Sequence, residues 1–362
     1  MKVLLLTTDA YGGHGGIALY NRDIVQALVE KPEIEEVVVV PRTLAMPPEN
    51  VPPKVRFRSK AAAGGKVRYS LHALRAATNH YDIVICGHIH LLPLAVLLNL
   101  FIRAPLVLMV YGIDVWQQPY QRARSWLNRV SAIWSISGIT QDRMDVWAKQ
   151  PEEKYSILPN AIHLEHYGLA AKRTDLVNRY GLKGSKVIMT LARLSAAERY
   201  KGIDEVIELL PSLLTAEPTL KYMVVGDGDD RHRLELKVKS LGLAETVTFT
   251  GRVDESDKAD FLRLADTFVM PSKGEGFGFV FLEALACGVP AVGSLTDGSR
   301  EALRDGMLGE LVDPEDPQSI ESGILSALLK RKEIPAGIEY FAWPEFSARV
   351  SQSIRTLAGQ PR

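Results

Sequence analysis

The sequence predicts an α/β protein made of two doubly wound units in tandem. Three observations lead there. At 362 residues and 40.0 kDa the chain is too long for one ordinary domain and fits two. Its strand-like runs are apolar throughout instead of alternating, the pattern of strands covered by helices on both faces. Those runs alternate with stretches of helical period, in two successive series.

Val3–Thr7 opens the first series. It is a short apolar run that meets Asp9 early, so it reads as a strand and not as a secretory leader. A helix is expected over Ile17–Glu30, a strand over Val37–Val40 and a helix over Val67–Asn79. Strands follow at Ile83–Cys86, Leu106–Val110 and Ala132–Ser135. The longest apolar run, Leu91 to Ile102, contains Pro93 and Asn99 and falls short of the roughly 20 residues a bilayer span requires. The second series places strands at Lys186–Leu191, Leu220–Gly226, Thr246–Thr250, Thr267–Met270 and Val289–Gly293. Helices lie between them at about Ile203–Leu214, Asp230–Leu241 and Lys258–Ala265. The polar, poorly periodic stretch from Pro159 to about Lys172 reads as the junction. A last helix opens at Phe341-Ala342-Trp343-Pro344, with proline near its first turn. Sheets wound this way take ligands beyond the carboxyl ends of their strands. The loops after Thr7, Leu191, Gly226 and Pro271 are therefore expected at a shared cleft.

Composition narrows the function. Hydrophobic residues make up 46% and charged residues 24%, which excludes disorder, collagen and coiled coil. Forty-three basic residues balance 43 acidic ones, so no global field advertises nucleic acid. Cys86 and Cys287 form no metal-ligand spacing and fit a reducing compartment. The balance is uneven along the chain: residues 1–165 carry 18 basic and 14 acidic side chains. Between Glu49 and Asp82 lie Lys54, Arg56, Arg58, Lys60, Lys66, Arg68 and Arg75 with no acid among them. That stretch reads either as a solvated face or as a site for an anionic surface or acceptor.

The chemistry concentrates after the strand at Thr267–Met270. Pro271-Ser272-Lys273-Gly274-Glu275-Gly276-Phe277-Gly278-Phe279 is a glycine-rich loop that leads into a helix. Its glycines let backbone approach a ligand, and the helix start offers free N–H groups to an anion. Glu283 follows Glu275 by eight residues, so both carboxylates can reach one elongated ligand. Arg193 and Lys201 follow another strand end, where they can grip phosphate oxygens. In the first half, His88 and His90 follow a strand end with alternate spacing; as metal ligands they lack a third partner. No acidic metal-binding cluster of D-x-D type is read at a strand end, so Arg193 and Lys201 would neutralise phosphate charge in place of a metal.

The run PSKGEGFGFVFLEALACGVP, from Pro271 to Pro290, resembles the hallmark segment of the retaining glycosyltransferases of family 4, with its E-x7-E pattern. The resemblance extends over nearly the whole chain. Gly12-Gly13-His14-Gly15-Gly16 resembles the family's first glycine loop and Leu158-Pro159-Asn160-Ala161-Ile162 its interdomain segment. Arg193, Lys201-Gly202 and Gly226-Asp227-Gly228 resemble its donor-side loops. The resemblance implies the GT-B fold, two Rossmann-like domains facing a central cleft. Residues 1–165 would bind the acceptor, 166–340 a nucleotide-sugar donor, and the helix in 341–362 would return to the first domain. It implies contact of Glu275 with the transferred sugar, of Glu283 with the ribose and of Arg252 with the base. Gly15, Gly16, Gly276, Phe277 and Gly278 would complete the donor site, with Glu275, Arg193 and Lys201 as the catalytic set. His88, His90, Tyr111 and Asp114 are the candidates on the acceptor side. Two departures stand out: Tyr111 occupies the place where many relatives carry a histidine, and the loop from Arg193 to Lys201 is slightly long.

The reading is thus a retaining hexosyltransferase that needs no metal or other cofactor. Its partners would be a nucleotide-sugar and a glycan or lipid-linked acceptor in cell-surface polysaccharide or glycolipid assembly. Its location would be cytoplasmic, or peripheral on the inner face of the membrane through Lys54–Arg75. The alternatives are a non-catalytic nucleotide-sugar-binding protein and a sugar-nucleotide epimerase on a similar fold.

Overall fold

The computed structural model describes residues 1–13, 15–62 and 64–358; His14 of the first glycine loop lies outside the described residues. The chain divides into two compact units, Met1–Ala161 with the segment from Trp343 onward, and Ile162–Ala342.

In the first unit the strands are β1 (Lys2–Thr7), β2 (Glu36–Pro41), β3 (Val55–Phe57), β4 (Ile83–Gly87), β5 (Leu106–Val110), β6 (Ala132–Ser135) and β7 (Tyr155–Ile157). They form one parallel sheet in the order β3-β2-β1-β4-β5-β6-β7. The central strands are buried along their length, as their uninterrupted apolar sequence requires. One face packs Leu4, Leu6, Val38, Val84 and Leu108 against Tyr69, Ala73, Leu92 and Val96 of helices Lys66–Ala77 and Leu92–Ile102. Each such valine or leucine contributes about 1.5–3 kcal/mol by leaving water. Helix Trp343–Ala358 turns Phe346, Val350, Ile354 and Leu357 inward, at helical spacing. Phe346 meets Tyr20 of helix Gly16–Val29 edge-on, with centroids 5.9 Å apart.

The second unit holds β8 (Lys186–Leu191), β9 (Leu220–Val225), β10 (Val247–Gly251), β11 (Thr267–Val269), β12 (Ala291–Ser294) and β13 (Glu310–Val312), all parallel, in the order β10-β9-β8-β11-β12-β13. Its core joins Ile188, Tyr222, Val224 and Val292 to Val206, Leu210 and Leu213 of helix Ile203–Ala216.

The topology decides where ligands can sit. Strand order reverses between β1 and β4 in one unit and between β8 and β11 in the other. At such switch points the loops part and leave a crevice beyond the carboxyl ends. In the second unit those two loops carry Arg193 to Lys201 and Pro271 to Gly278.

Three strands, β3, β7 and β13, were not apparent in the sequence. Each is three residues long, lies at a sheet edge and is partly exposed, so none shows an apolar run. The run from Leu91 to Ile102 is an ordinary helix whose other side remains uncovered, with Leu97, Leu100 and Phe101 exposed. Among the described residues no helix is long and apolar enough to cross a membrane.

Candidate donor and acceptor sites

Glu275 sits in the glycine loop after β11, and its backbone is clamped. Its N–H donates to Asp297 Oδ2 at 2.7 Å, and its carbonyl accepts from Gly298 N at 2.8 Å. Asp297, buried just past β12, also accepts from Ser272 and Ser299. The loop is thus held by a carboxylate from the neighbouring crossover. Gly278 closes it with φ +89°, and a Cβ there would sit 2.5 Å from the Phe281 ring, so only glycine fits. Helix Phe279–Ala286 starts at once, which leaves its first N–H groups beside the loop. Phe277 points the other way; it is fully buried and packs edge-on against Phe341 at 5.6 Å. Its side chain builds the core, and only its backbone remains for a ligand.

Lys201 is largely buried and interacts with Glu275. Burial lowers its pKa and the nearby Arg193 lowers it further, while Glu275 opposes both. Burial raises the Glu275 carboxyl; Lys201 counters this and Asp297 adds to it. Arg193 is exposed just past β8. The structure therefore brings together Arg193, Lys201 and Glu275, three residues that the sequence separates by up to 82 positions. Arg252 stands exposed after β10.

Glu283 is more deeply placed than a simple ligand contact suggests, with only 2% of its surface exposed. Its Oε1 accepts from the Tyr167 hydroxyl at 2.9 Å and pairs with Lys258 Nζ at 2.5 Å. Burial raises its pKa, while Lys258 and Tyr167 hold it down.

Asp227-Gly228-Asp229 after β9 does carry a D-x-D spacing, contrary to the reading that no such cluster stands at a strand end. Its carboxylates are engaged within the loop. Asp227 caps Gly228 N and faces Arg231, and Asp229 accepts from Ala196 N at 2.9 Å. Gly226 and Gly228 serve close packing: a Cβ at either would lie within about 2 Å of the Ala192 or Leu194 carbonyl oxygen.

In the first unit, Gly15 and Gly16 begin helix Gly16–Val29, with open space where a Cβ would stand. His88 and His90 stack with centroids 5.2 Å apart, and His90 N donates to His88 Nδ1. Burial, then His90, lowers His88 to about 4, so it is neutral at pH 7. The Tyr111 hydroxyl turns inward toward Asn21 Oδ1 at 2.8 Å and the Gly87 carbonyl at 2.9 Å. Asn21 itself is fully buried and donates to Thr7 Oγ1 and the Asp9 carbonyl. Tyr111 thus ties the end of β5 to the end of β4 and, through Asn21, to the loop after β1, and burial lifts its pKa well above the ordinary phenol.

Asp114 is the unusual carboxyl of this unit. One oxygen accepts from Tyr111 N at 3.1 Å and the other is buried with no hydrogen-bond partner. Burial raises it from 3.8 to about 7, against three backbone hydrogen bonds. The folded protein thus holds this proton more tightly than the unfolded chain. Its contribution to stability is complete below about pH 4 and is lost as pH rises to about 7, by up to about 4 kcal/mol. Asp114→Asn keeps the acceptor oxygen and removes the charge. Urea unfolding is expected to show the variant gaining on the wild type between pH 4 and 7. A difference between the two that does not change with pH would refute the assignment.

Residues 173–340 match the family described as Glycosyl transferases group 1, and residues 14–166 match Glycosyltransferase Family 4. The chain belongs to this glycosyltransferase family. It is 31% identical over 214 residues to a phosphatidyl-myo-inositol mannosyltransferase of Mycobacterium tuberculosis, covering 56% of this chain and 54% of that one. The chain thus spans about half the length of the first curated relatives it matches. A GDP-mannose-dependent alpha-(1-6)-phosphatidylinositol monomannoside mannosyltransferase of Mycolicibacterium smegmatis is 29% identical, covering 89% of this chain and 88% of that one. Anabaena HepE, solved in complex with UDP, superposes with a TM-score of 0.76 at 21% identity, covering 98% and 100% of the two chains. At that identity the likeness speaks for the fold alone, the GT-B type with a Rossmann-like sheet in each unit.

For a family 4 glycosyltransferase, the residues missed in the sequence are the partners: Asp297, Lys258, Tyr167, Glu198 and Asn21. Asp297 alone left a signal, as an acid ahead of Gly298-Ser299 after a strand, where helix caps occur. Lys258, Tyr167 and Asn21 lie far in sequence from what they hold, whereas Glu198 lies in the same loop as its partners Arg193 and Lys201, in unremarkable local sequence.

Proposed function

We propose that this chain moves a sugar from a nucleoside-diphosphate donor to a hydroxyl acceptor with retention of configuration and without a metal. In this reading the second unit takes the donor and the first the acceptor. The observation that carries it is Lys201 facing Glu275 beside the start of helix Phe279–Ala286. A cation meets the departing diphosphate, a carboxylate accepts from the sugar's hydroxyls, and helix N–H groups add positive potential. Arg193 and Lys201 stabilise charge that grows as the bond from the anomeric carbon to the diphosphate breaks. The α-phosphate oxygen takes the acceptor's proton on the same face as the new bond forms. Glu283 accepts from the ribose. A nucleotide-sugar donor and a glycolipid acceptor fit the relatives, one of which is named GDP-mannose-dependent and acts on a phosphatidylinositol mannoside. The test is a thermal-shift and hydrolysis panel of UDP-, GDP- and ADP-sugars. A true donor at 100 times its Kd stabilises by about 2.7 kcal/mol. If none of the three shifts unfolding or is hydrolysed, the reading fails.

The acceptor side favours a membrane-borne substrate. Helix Lys66–Ala77 exposes Val67, Leu71 and Leu74, and the helix packed beside it exposes Leu97, Leu100 and Phe101. The cations around them are fewer than the sequence suggests. Lys54 caps the Val29 and Lys31 carbonyls, and Arg56 pairs with Glu36. Lys60, Lys66, Arg68 and Arg75 remain exposed. Their field shows at His72, whose pKa is lowered by burial and then by Arg68, Arg75, Arg58 and Lys60. Each cation near an anionic leaflet adds about 1 kcal/mol. Sedimentation with anionic vesicles is expected at low salt, weakened by high salt and by Leu97→Ser with Phe101→Ser. Indifference to lipid charge would remove the membrane and leave a soluble acceptor.

A further inference from the structure

The two cations assigned to the diphosphate are not idle. Glu198, within the same loop, pairs with both: one carboxylate oxygen with Arg193 and the other with Lys201 Nζ, at 2.9 Å. Two oxygens of one anion bridging two cations is the arrangement a phosphate would adopt there. Glu198 and Lys201 are both largely shielded from water, with 13% and 15% of their side chains exposed, so theirs is not a loose surface pair, while Arg193 reaches the carboxylate from solvent. Lys201 also interacts with Glu275, so carboxylates lie on two sides of its ammonium.

The backbone around Glu198 is pinned. Ala196 N donates to Asp229, the Arg199 guanidinium holds Asp230 Oδ1 at 2.9 and 3.1 Å, and Lys273 N donates to the Tyr200 carbonyl at 2.7 Å. Glu198 alone departs from helical geometry in this turn, with φ −120° and ψ 28°. The loop therefore cannot carry the carboxylate away by moving as a whole. Rotation of the Glu198 side chain is the available movement.

We propose that Glu198 is an internal stand-in for the donor's diphosphate, holding the Arg193–Lys201 pair until the ligand displaces it. The inference rests on the reading of those two cations as the diphosphate grip. A diphosphate, with more charge and more oxygens than inorganic phosphate, displaces a single carboxylate more readily than inorganic phosphate does. Glu198 thus raises the threshold for binding and favours diphosphates over inorganic phosphate. It also keeps the largely buried Lys201 partnered between turnovers.

Calorimetric titration of the full chain with UDP, GDP, inorganic pyrophosphate and inorganic phosphate tests this. Glu198→Gln keeps the shape and removes the charge. It is expected to bind the nucleoside diphosphate and pyrophosphate at least about tenfold more tightly, a gain of about 1.4 kcal/mol. Its preference for pyrophosphate over phosphate should narrow. In turnover the donor KM falls while kcat changes little, because the competition acts before the chemistry. Glu198→Asp retains the charge and should not tighten binding. Unchanged or weaker binding by Glu198→Gln would overturn the proposal and make Glu198 a clamp that positions the cations. Failure of the underlying reading looks different. In that case Arg193→Ala and Lys201→Ala bind as the wild type does, or the wild type binds neither nucleotide nor pyrophosphate, and the proposal falls with it.

Discussion

Lys201→Ala is expected to lower sugar transfer on the order of 100- to 1000-fold, the usual cost of removing one preorganised group aimed at developing charge. Three features of the site make the effect large. Lys201 is shielded from water, so its field is poorly screened. It lies close enough to Glu275 to oppose the rise in that carboxyl's pKa. It is the less exposed of the two cations, so Arg193, with most of its side chain in solvent, cannot replace it. Losing the ammonium also removes a partner of Glu198 and part of the support for an ionised Glu275. Lys201→Arg is expected to recover only part of the activity, since a planar fork does not reproduce a compact charge in a tight site. The measurement is single-turnover transfer with saturating donor beside a thermal unfolding curve. Activity within threefold of wild type in a normally folded Lys201→Ala would dismiss the assignment.

Glu283→Ala is expected to damage both binding and stability. From sequence the side chain reads as one that serves a ligand; in the fold it is also the counter-charge of the buried Lys258. Removing one partner of a buried pair leaves an uncompensated charge and costs about 3–5 kcal/mol. The lower end applies, because Lys258 retains Glu255 on its outer side. In the 181-residue second unit that amounts to a drop in Tm of roughly 6–12 °C. The double variant Glu283→Gln with Lys258→Met removes both charges together. It should recover most of the lost stability without recovering donor binding. This separation shows whether Glu283 serves the ligand or only the core. A double variant as unstable as Glu283→Ala would show that the pair is not what holds this region together.

Parallel strands buried on both faces must be apolar at nearly every position, and helices over them must repeat at 3.6. Those are local constraints, and they made β1, β2, β4, β5, β6, β8 and β9 visible to within a residue or two. The glycine-rich loop was legible for a similar reason. A strand end, the glycines and a following helix are adjacent in sequence, so the anion-binding turn is written in consecutive residues. The edge strands β3, β7 and β13 escaped because an edge has one neighbour and needs no apolar run. What each charged group faces could be decided only by folding. Glu198 between Arg193 and Lys201 is a matter of a pinned turn, and Lys258 against Glu283 of two packed helices. Tyr111 was recognisable as an unexpected residue, yet the inward turn of its hydroxyl depends on Asn21, 90 positions earlier. Electrostatic and hydrogen-bond partners are chosen by distance in space, to which the periodicity of a chain gives no access.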